Sequence, residues 1–161
     1  MIKVLFVCTG NICRSPTAEG VFQALVAAED LAGEVAVDSA GTHGWHEGNP
    51  PDRRSIAAAA RRGVDIAAQR SRPITAADFN TFDYLIAMDG DNFDILSDKC
   101  PPDARARLDY FLDFAPEVGM REVPDPFYGG ERGFDDVLDM IEAASAGLLG
   151  DIRDNHLQHS S

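Results

Sequence analysis

The sequence has few cysteines, no long apolar run and few basic residues, and each of these features argues against a class of protein. It has only three cysteines, none of them in a CxxC pair, which disfavours a disulfide scaffold and leads us to expect a reducing, cytoplasmic location. No apolar run approaches the roughly 18 residues of a membrane span. The N-terminus turns polar after a few residues, so we expect no signal peptide either. Basic residues are also scarce: 14 Lys and Arg face 27 Asp and Glu, and the formal net charge of −13 argues against nucleic acid as a partner.

The apolar pattern indicates one domain, residues 1–161, in which strands and helices alternate. Apolar residues make up 45% of the sequence, enough for a normal core. Short runs rich in Val, Ile, Phe or Tyr predict four strands, at residues 2–7, 34–39, 82–88 and 108–112. Helices are predicted at residues 16–33 (capped by Ser15 and ended by Gly33), 52–62, 89–96 and 134–152. This alternation predicts an α/β fold with a small doubly wound four-stranded parallel sheet flanked by helices, in flavodoxin-like order.

The segment between the first strand and the first helix places a cysteine and an arginine around five residues. Its residues are Cys8, Thr9, Gly10, Asn11, Ile12, Cys13, Arg14 and Ser15. A glycine-bearing turn before a helix can aim several backbone N–H groups at one anion, and the planar fork of Arg14 matches two phosphate oxygens. A cysteine in such a positive cup is favoured as a thiolate, and the Ser15 hydroxyl can donate to its sulfur. We therefore predict a phosphate-binding loop with Cys8 as nucleophile. The competing interpretation is a buried cysteine followed by a helix whose arginine is solvated.

This loop and three later segments resemble the low-molecular-weight protein tyrosine phosphatases. The matching segments are VCTGNICRSPTAE (residues 7–19), DSAGTHGW (38–45), FDYLIAMD (82–89) and VPDPFYGG (123–130), in the family's order. The resemblance implies one low-molecular-weight phosphatase domain that hydrolyses phosphotyrosine in protein substrates through a phosphocysteine intermediate. Inorganic phosphate and similar oxyanions would bind in the same loop. The sequence has no His and Cys cluster with zinc spacing, and we expect neither a metal nor a cofactor.

Asp125 is the candidate for the acid that protonates the departing phenolate. It lies between Pro124 and Pro126, which stiffen the segment that carries it. By residue type alone, an aspartate that shapes a turn is an equally good interpretation. The resemblance favours the acid, and it implies that the same carboxylate then activates the water that hydrolyses the phosphocysteine.

Apolar and aromatic side chains should wall the pocket above the loop, because stacking favours a phenyl ring over a serine stem. The candidates are Ile12, Trp45, Phe127 and Tyr128.

The resemblance also implies side-chain support behind the loop. Asn11 should take the left-handed backbone conformation that asparagine tolerates, held by Ser39 and, in the family, by a histidine. The corresponding position here is Gln69, which can donate and accept hydrogen bonds but cannot titrate.

Three other functions stay open at this point. Arsenate reductase, on the same fold, needs additional cysteines to resolve its intermediate, and only Cys100 lies outside the loop. An arginine phosphatase would have a smaller polar residue in place of Ile12 and no tyrosine at position 128. A non-catalytic phosphotyrosine-binding module would lack Cys8 or Asp125.

Overall fold

Four strands form one parallel sheet in the computed structural model, which describes residues 1–126 and 130–157. The strands are β1 (Ile2–Cys8), β2 (Val35–Gly41), β3 (Tyr84–Ala87) and β4 (Arg107–Tyr110). Their order across the sheet is β2-β1-β3-β4, and every neighbouring pair is parallel. The predicted doubly wound α/β fold in flavodoxin-like order is therefore confirmed.

Helices cover both faces of this sheet. They are α1 (Arg14–Ala28), α2 (Arg53–Ala60), α3 (Asp78–Thr81), α4 (Gly90–Lys99) and α5 (Gly130–His156), with 3-10 turns at Phe111–Phe114 and Pro116–Val118. α1 and α5 share one core with β1, built around Phe6, Phe22 and Ile141. Phe79 of α3 and Leu96 of α4 belong to a second core on the opposite face. None of the helices in the described part of the chain is long and apolar enough to cross a membrane.

β1 is the central strand, which explains its continuous apolar sequence. Val4, Leu5, Phe6 and Val7 are all fully buried, because successive side chains point alternately to the two helical layers. β1 pairs with β2 on one side and with β3 on the other. The carboxyl ends of these strands therefore meet at one edge, where the loop after β1 comes close to the residues that follow β3.

The start of α1 differs from the prediction. The helix begins at Arg14, with Cys13 at the N-cap position and no capping side chain, so the prediction that Ser15 caps it is wrong. The Ser15 hydroxyl is engaged instead with the sulfur of Cys8 and the amide of Asn11. The hydroxyl of Ser15, in the first turn of α1, thus supports the loop that precedes the helix.

The end of α1 also differs, because the helix stops at Ala28 and not at Gly33. Asp30 takes a left-handed conformation with φ 59°, and the Leu31 N–H donates to the Val26 carbonyl at 2.9 Å. A left-handed residue commonly terminates a helix, and aspartate tolerates that conformation better than most residues.

Smaller shifts occur at several other boundaries. β4 ends at Tyr110, two residues early, because the chain turns into a 3-10 helix at Phe111. α5 extends four residues further back than predicted, to Gly130. Asp52 caps α2, because its carboxylate accepts from the Arg54 N–H at 2.8 Å. The cap of α4 is described with the site.

Candidate active site

The loop between β1 and α1 folds around the sulfur of Cys8. The Asn11 N–H donates to Cys8 Sγ at 3.3 Å, and the Ser15 hydroxyl oxygen lies 3.0 Å from the same sulfur. Asn11 has φ 56°, the left-handed conformation predicted for it. Cys8 is only 3% exposed and lines a cavity of about 230 Å³. The Cys8 sulfur is therefore held in place by contacts from two residues of the same segment.

The Asn11 side chain ties the loop to the strand and segment behind it. Its Nδ2 donates to the hydroxyl oxygens of Ser15 and Ser39, at 2.8 and 3.0 Å. Its Oδ1 accepts from the backbone N–H of Arg72 at 3.0 Å. Gly41 makes this close approach possible, because a side chain there would begin 3.2 Å from Asn11 Cβ.

A carboxylate, and not the side chain of Gln69, completes this network. The Ser39 hydroxyl donates to Glu19 Oε1 at 2.7 Å. Gln69 donates to the backbone carbonyl of Pro16 at 3.0 Å and so braces the first turns of α1. The position at which the resemblance implies a histidine therefore has a different structural role in this chain.

Arg14 is 4% exposed and is held by two acceptors from distant parts of the chain. Its Nη1 donates to Asp89 Oδ2 at 2.6 Å and to the Val123 carbonyl at 3.0 Å. Burial lowers the pKa of the guanidinium, but Cys8, Asp89 and Asp125 raise it by more, and its net pKa lies above the ordinary value. Arg14 is therefore a fixed cation beside the sulfur.

The segment that carries Asp125 is fastened to the end of β3. The Val123 N–H donates to the Met88 carbonyl at 2.7 Å, and the Glu122 carboxylate accepts from the Gly90 N–H at 2.7 Å. Asp125 is exposed, and it lines the cavity above the loop. These anchors give the carboxylate a defined place at the mouth of the site.

Most of the predicted site residues meet at this one cavity. Its lining residues are Cys8, Thr9, Gly10, Ile12, Cys13, Arg14, Trp45, His46 and Asp125. Asn11, Ser15 and Ser39 form the layer behind the loop. Phe127 and Tyr128 lie outside the residues that the structure describes.

Trp45 forms one wall of the cavity and is open to solvent. It is 68% exposed, and its ring stacks on His43 with 4.1 Å between ring centroids. The His43 ring lies 2.9 Å from the Thr42 hydroxyl, which steadies the pair. A large aromatic side chain exposed beside the cavity is suited to stacking on a ligand ring.

Sequence reasoning misses four polar residues of the site: Glu19, Asp89, Asn92 and His46. Asp89 caps α4 through the Asn92 N–H at 2.8 Å, while its second oxygen holds Arg14. Asn92 donates to the Thr9 hydroxyl at 3.1 Å. The sequence does contain one indication of a role for Asp89, because this residue follows β3 closely and so lies at the sheet edge that the loop occupies. Glu19 is the last residue of the segment VCTGNICRSPTAE, but its residue type alone does not distinguish it from a solvated glutamate.

Cys13, the second cysteine of the loop, is also buried. Burial raises the pKa of its thiol to about 12.

Among residues 1–126 and 130–157, no three His, Cys, Asp or Glu side chains are grouped so that they could hold a metal ion.

Comparison with known proteins identifies the family. The family model described as "Low molecular weight phosphotyrosine protein phosphatase" matches residues 3–159. The low molecular weight protein-tyrosine-phosphatase of Streptomyces coelicolor is 43% identical over 155 residues, covering 94% of this chain and 94% of that protein.

Solved structures give the same answer at the level of the fold. The protein tyrosine phosphatase of Entamoeba histolytica, with Hepes in its active site, has a TM-score of 0.92 and 41% identity over 96% of this chain and 98% of that one. The Drosophila arginine phosphatase has a TM-score of 0.89 and 30% identity, over 96% of this chain and 99% of that one. With a family model matching nearly every residue and a buried Cys-x5-Arg loop at the expected sheet edge, this chain belongs to the low molecular weight protein tyrosine phosphatases, which are hydrolases.

Proposed function

We propose that this enzyme hydrolyses phosphotyrosine in proteins through a phosphocysteine at Cys8, with Asp125 as general acid and base. One observation carries the proposal: Cys8, Arg14 and Asp125 line the same cavity. A nucleophile, a fixed cation and a proton donor are the groups that this displacement requires.

In the first step the Cys8 thiolate attacks phosphorus opposite the leaving oxygen. The S–P bond forms, the P–O bond to the ring breaks, and Asp125 transfers its proton to the phenolate oxygen. Arg14 and the loop N–H groups balance the charge on the three remaining phosphate oxygens.

In the second step water attacks phosphorus and the S–P bond breaks. Asp125, now a carboxylate, takes the proton of the water, and inorganic phosphate leaves. The sulfur departs as a thiolate, which the Ser15 hydroxyl and the Asn11 N–H stabilise from 3.0 and 3.3 Å.

Two observations support an aryl substrate over phosphoarginine. Ile12 and Trp45 give the cavity apolar and aromatic surface, which favours a ring over a polar stem. Relatives named tyrosine phosphatases reach 43% identity, against 30% for the named arginine phosphatase.

Two variants test the mechanism. Cys8→Ser should abolish turnover of an aryl phosphate while still binding vanadate or phosphate, and Cys100→Ser, outside the cavity, should be fully active. Asp125→Asn should lower kcat by about 10²- to 10⁴-fold on phosphotyrosine, and by less on esters whose leaving group needs no proton.

Activity of Cys8→Ser within about tenfold of wild type would refute the assignment of Cys8 as the nucleophile. An equal loss for all leaving groups in Asp125→Asn would refute the acid.

A further inference from the structure

A second cavity, of about 330 Å³, is lined by α1, α5 and the residues that follow α2. Its walls include Val21 and Leu25 of α1, Val64 after α2, and Ser145 and Ala146 of α5. None of the described residues that line it also lines the cavity above the phosphate loop. The second cavity is therefore separate from the candidate active site, and the proposed reaction makes no use of it.

The residues of the two helices explain the space between them. Ala24 of α1 and Ala146 of α5 both line the cavity, and their side chains end at Cβ. The third wall lies close to α1, because a Cβ on Gly20 would be only 2.9 Å from Cγ1 of Val64. The walls are therefore fixed by close packing, and the cavity is formed before any ligand binds.

Ser145 brings an unused hydrogen-bonding group to this cavity. It is 1% exposed, and its hydroxyl has no hydrogen-bond partner among the residues that the structure describes. It does not donate to the carbonyl four residues back, as serines within helices often do. Buried polar groups are nearly always paired, because an unpaired one is destabilising. A ligand in the cavity would provide the missing partner.

The charged groups at the cavity favour a ligand that donates a hydrogen bond and carries no negative charge. Arg62 and Glu142 both line the cavity and form an ion pair. Arg62 is also paired with Asp135 at 3.9 Å and with Asp139 at 2.9 Å. Even with Arg61, which pairs with Asp135 at 3.4 Å, three carboxylates face two guanidinium groups, so an anion would meet net negative charge. An N–H or O–H group on an uncharged ligand would instead find acceptors in Glu142 and in the serine hydroxyl.

We propose that this cavity is a second ligand site, which binds an uncharged, mostly apolar small molecule through one N–H or O–H group. The apolar body of the ligand packs against Val21, Leu25 and Val64, and its donor bonds to the Ser145 oxygen. A volume of about 330 Å³ is at the lower end of the range for small-molecule pockets and suits a molecule of one or two rings. Because the two cavities share no lining residue, this ligand and phosphate bind at the same time.

Indole is the probe for this site, because it is uncharged and carries a single N–H on an apolar body. In ¹³C-methyl NMR spectra, the methyl groups of Val21, Leu25 and Val64 report on the second cavity, and those of Ile12 report on the catalytic cavity. The titration is made with phosphate at saturating concentration, so that the phosphate loop is occupied. Indole should then shift the first set of methyl signals in a saturable manner, with a Kd on the order of 1 mM, as expected for so small a ligand.

Two variants test the contacts within the cavity. Ala24→Leu fills the space and should abolish the shifts, whereas Ala27→Leu, at an exposed position of the same helix outside the cavity, should bind indole as wild type does. Ser145→Ala should weaken the binding of indole by about 2- to 10-fold, the effect of losing one hydrogen bond. Benzofuran, which has the shape of indole but no N–H, should bind wild type and Ser145→Ala equally well.

The inference is overturned if indole, with phosphate present, shifts only the Ile12 signals or none, or if Ala24→Leu and Ala27→Leu bind it equally well. It is also overturned if Ser145→Ala changes the affinities for indole and benzofuran by the same factor. Should Ala24→Leu not fold, the comparison of the two ligands in Ser145→Ala decides alone. None of these results bears on the proposed function, which depends on the variants of Cys8 and Asp125.

Discussion

Ile12 of the phosphate loop is half-buried and lines the cavity, as Trp45 does. An aryl stem gains from contact with this side chain, whereas a guanidinium stem would face apolar surface without hydrogen-bond partners. Ile12→Thr should therefore lower kcat/KM on phosphotyrosine peptides and raise the relative activity on phosphoarginine. The expected ceiling for the change in the ratio is about 10- to 200-fold.

The control for this prediction is Ile56→Thr, the same chemical change on α2 at a half-buried position outside the cavity. It should leave the ratio of the two kcat/KM values unchanged. A ratio that is also unchanged in Ile12→Thr would mean that Trp45, or residues of the acid segment, set the preference.

Single residues of the site differ in how well sequence reasoning can find them. Cys8, Arg14 and Asn11 stand close together in the chain and in a fixed order, so their association can be recognised before folding. Glu19 and Asp89 act through partners that are brought to them by the fold, 20 and 75 residues away. Charged residues are common in this sequence, and nothing in their types distinguishes these two from solvated ones.

At the level of elements, the start of α4 performs two tasks with one side chain. Asp89 caps the helix with one oxygen and holds Arg14 with the other. Asp89→Ala should therefore lose about 0.5–2 kcal/mol of stability and also reduce kcat/KM by about 10- to 100-fold, because Arg14 loses a charged partner.

Asp52→Ala is the matched control, because Asp52 caps α2 through the Arg54 N–H at 2.8 Å and has no bond to Arg14. Urea unfolding and steady-state kinetics of both variants distinguish the two effects. The two should lose similar stability, but only Asp89→Ala should lose activity. Equal kinetic losses would indicate that cap removal alone disturbs the site.

α5 packs closely against the 3-10 turn after β4, and this contact requires a glycine at position 147. A Cβ on Gly147 would overlap the carbonyl group of Phe114, whereas a Cβ on Gly150, in the same helix, would meet nothing within 4 Å. Gly147→Ala should destabilise the protein by about 1–3 kcal/mol through overpacking. Gly150→Ala should stabilise it by up to about 1 kcal/mol. Thermal or urea unfolding of the pair checks this, and two changes of the same sign would contradict the close approach.

The elements themselves are largely predictable from the sequence, whereas their ends are not. β1 is buried on both faces, so its apolar run is unbroken and easily identified. The ends of α1 are harder to predict. At its start, the Ser15 hydroxyl contacts the Cys8 sulfur and does not cap the helix. At its end, Asp30 adopts a left-handed conformation three residues before Gly33. Side-chain competition of this kind is decided by the folded structure and not by local preference.

For the whole molecule, the formal charge of −13 opposes the approach of a phosphate dianion. Raising NaCl from about 0.01 to 0.15 M shortens the Debye length from about 30 to 8 Å. We therefore expect kcat/KM on a phosphotyrosine peptide to rise severalfold over this range. Alkylation of Cys8 by uncharged iodoacetamide, which has no long-range charge interaction, should stay constant. A fall in kcat/KM with salt would show that Arg14 and the loop dominate the field that the substrate meets.

The two acceptors of Arg14 have a consequence for how the protein is made. Asp89 and Val123 lie 75 and 109 residues further along the chain. During synthesis, a ribosome exposes the Cys-x5-Arg segment long before it exposes either partner. The nascent loop can form its local turn, but its arginine lacks one acceptor until Asp89 has emerged and the other until Val123 has emerged. Phosphate affinity should consequently appear late in translation, so that incomplete chains do not compete with the finished enzyme for its substrates.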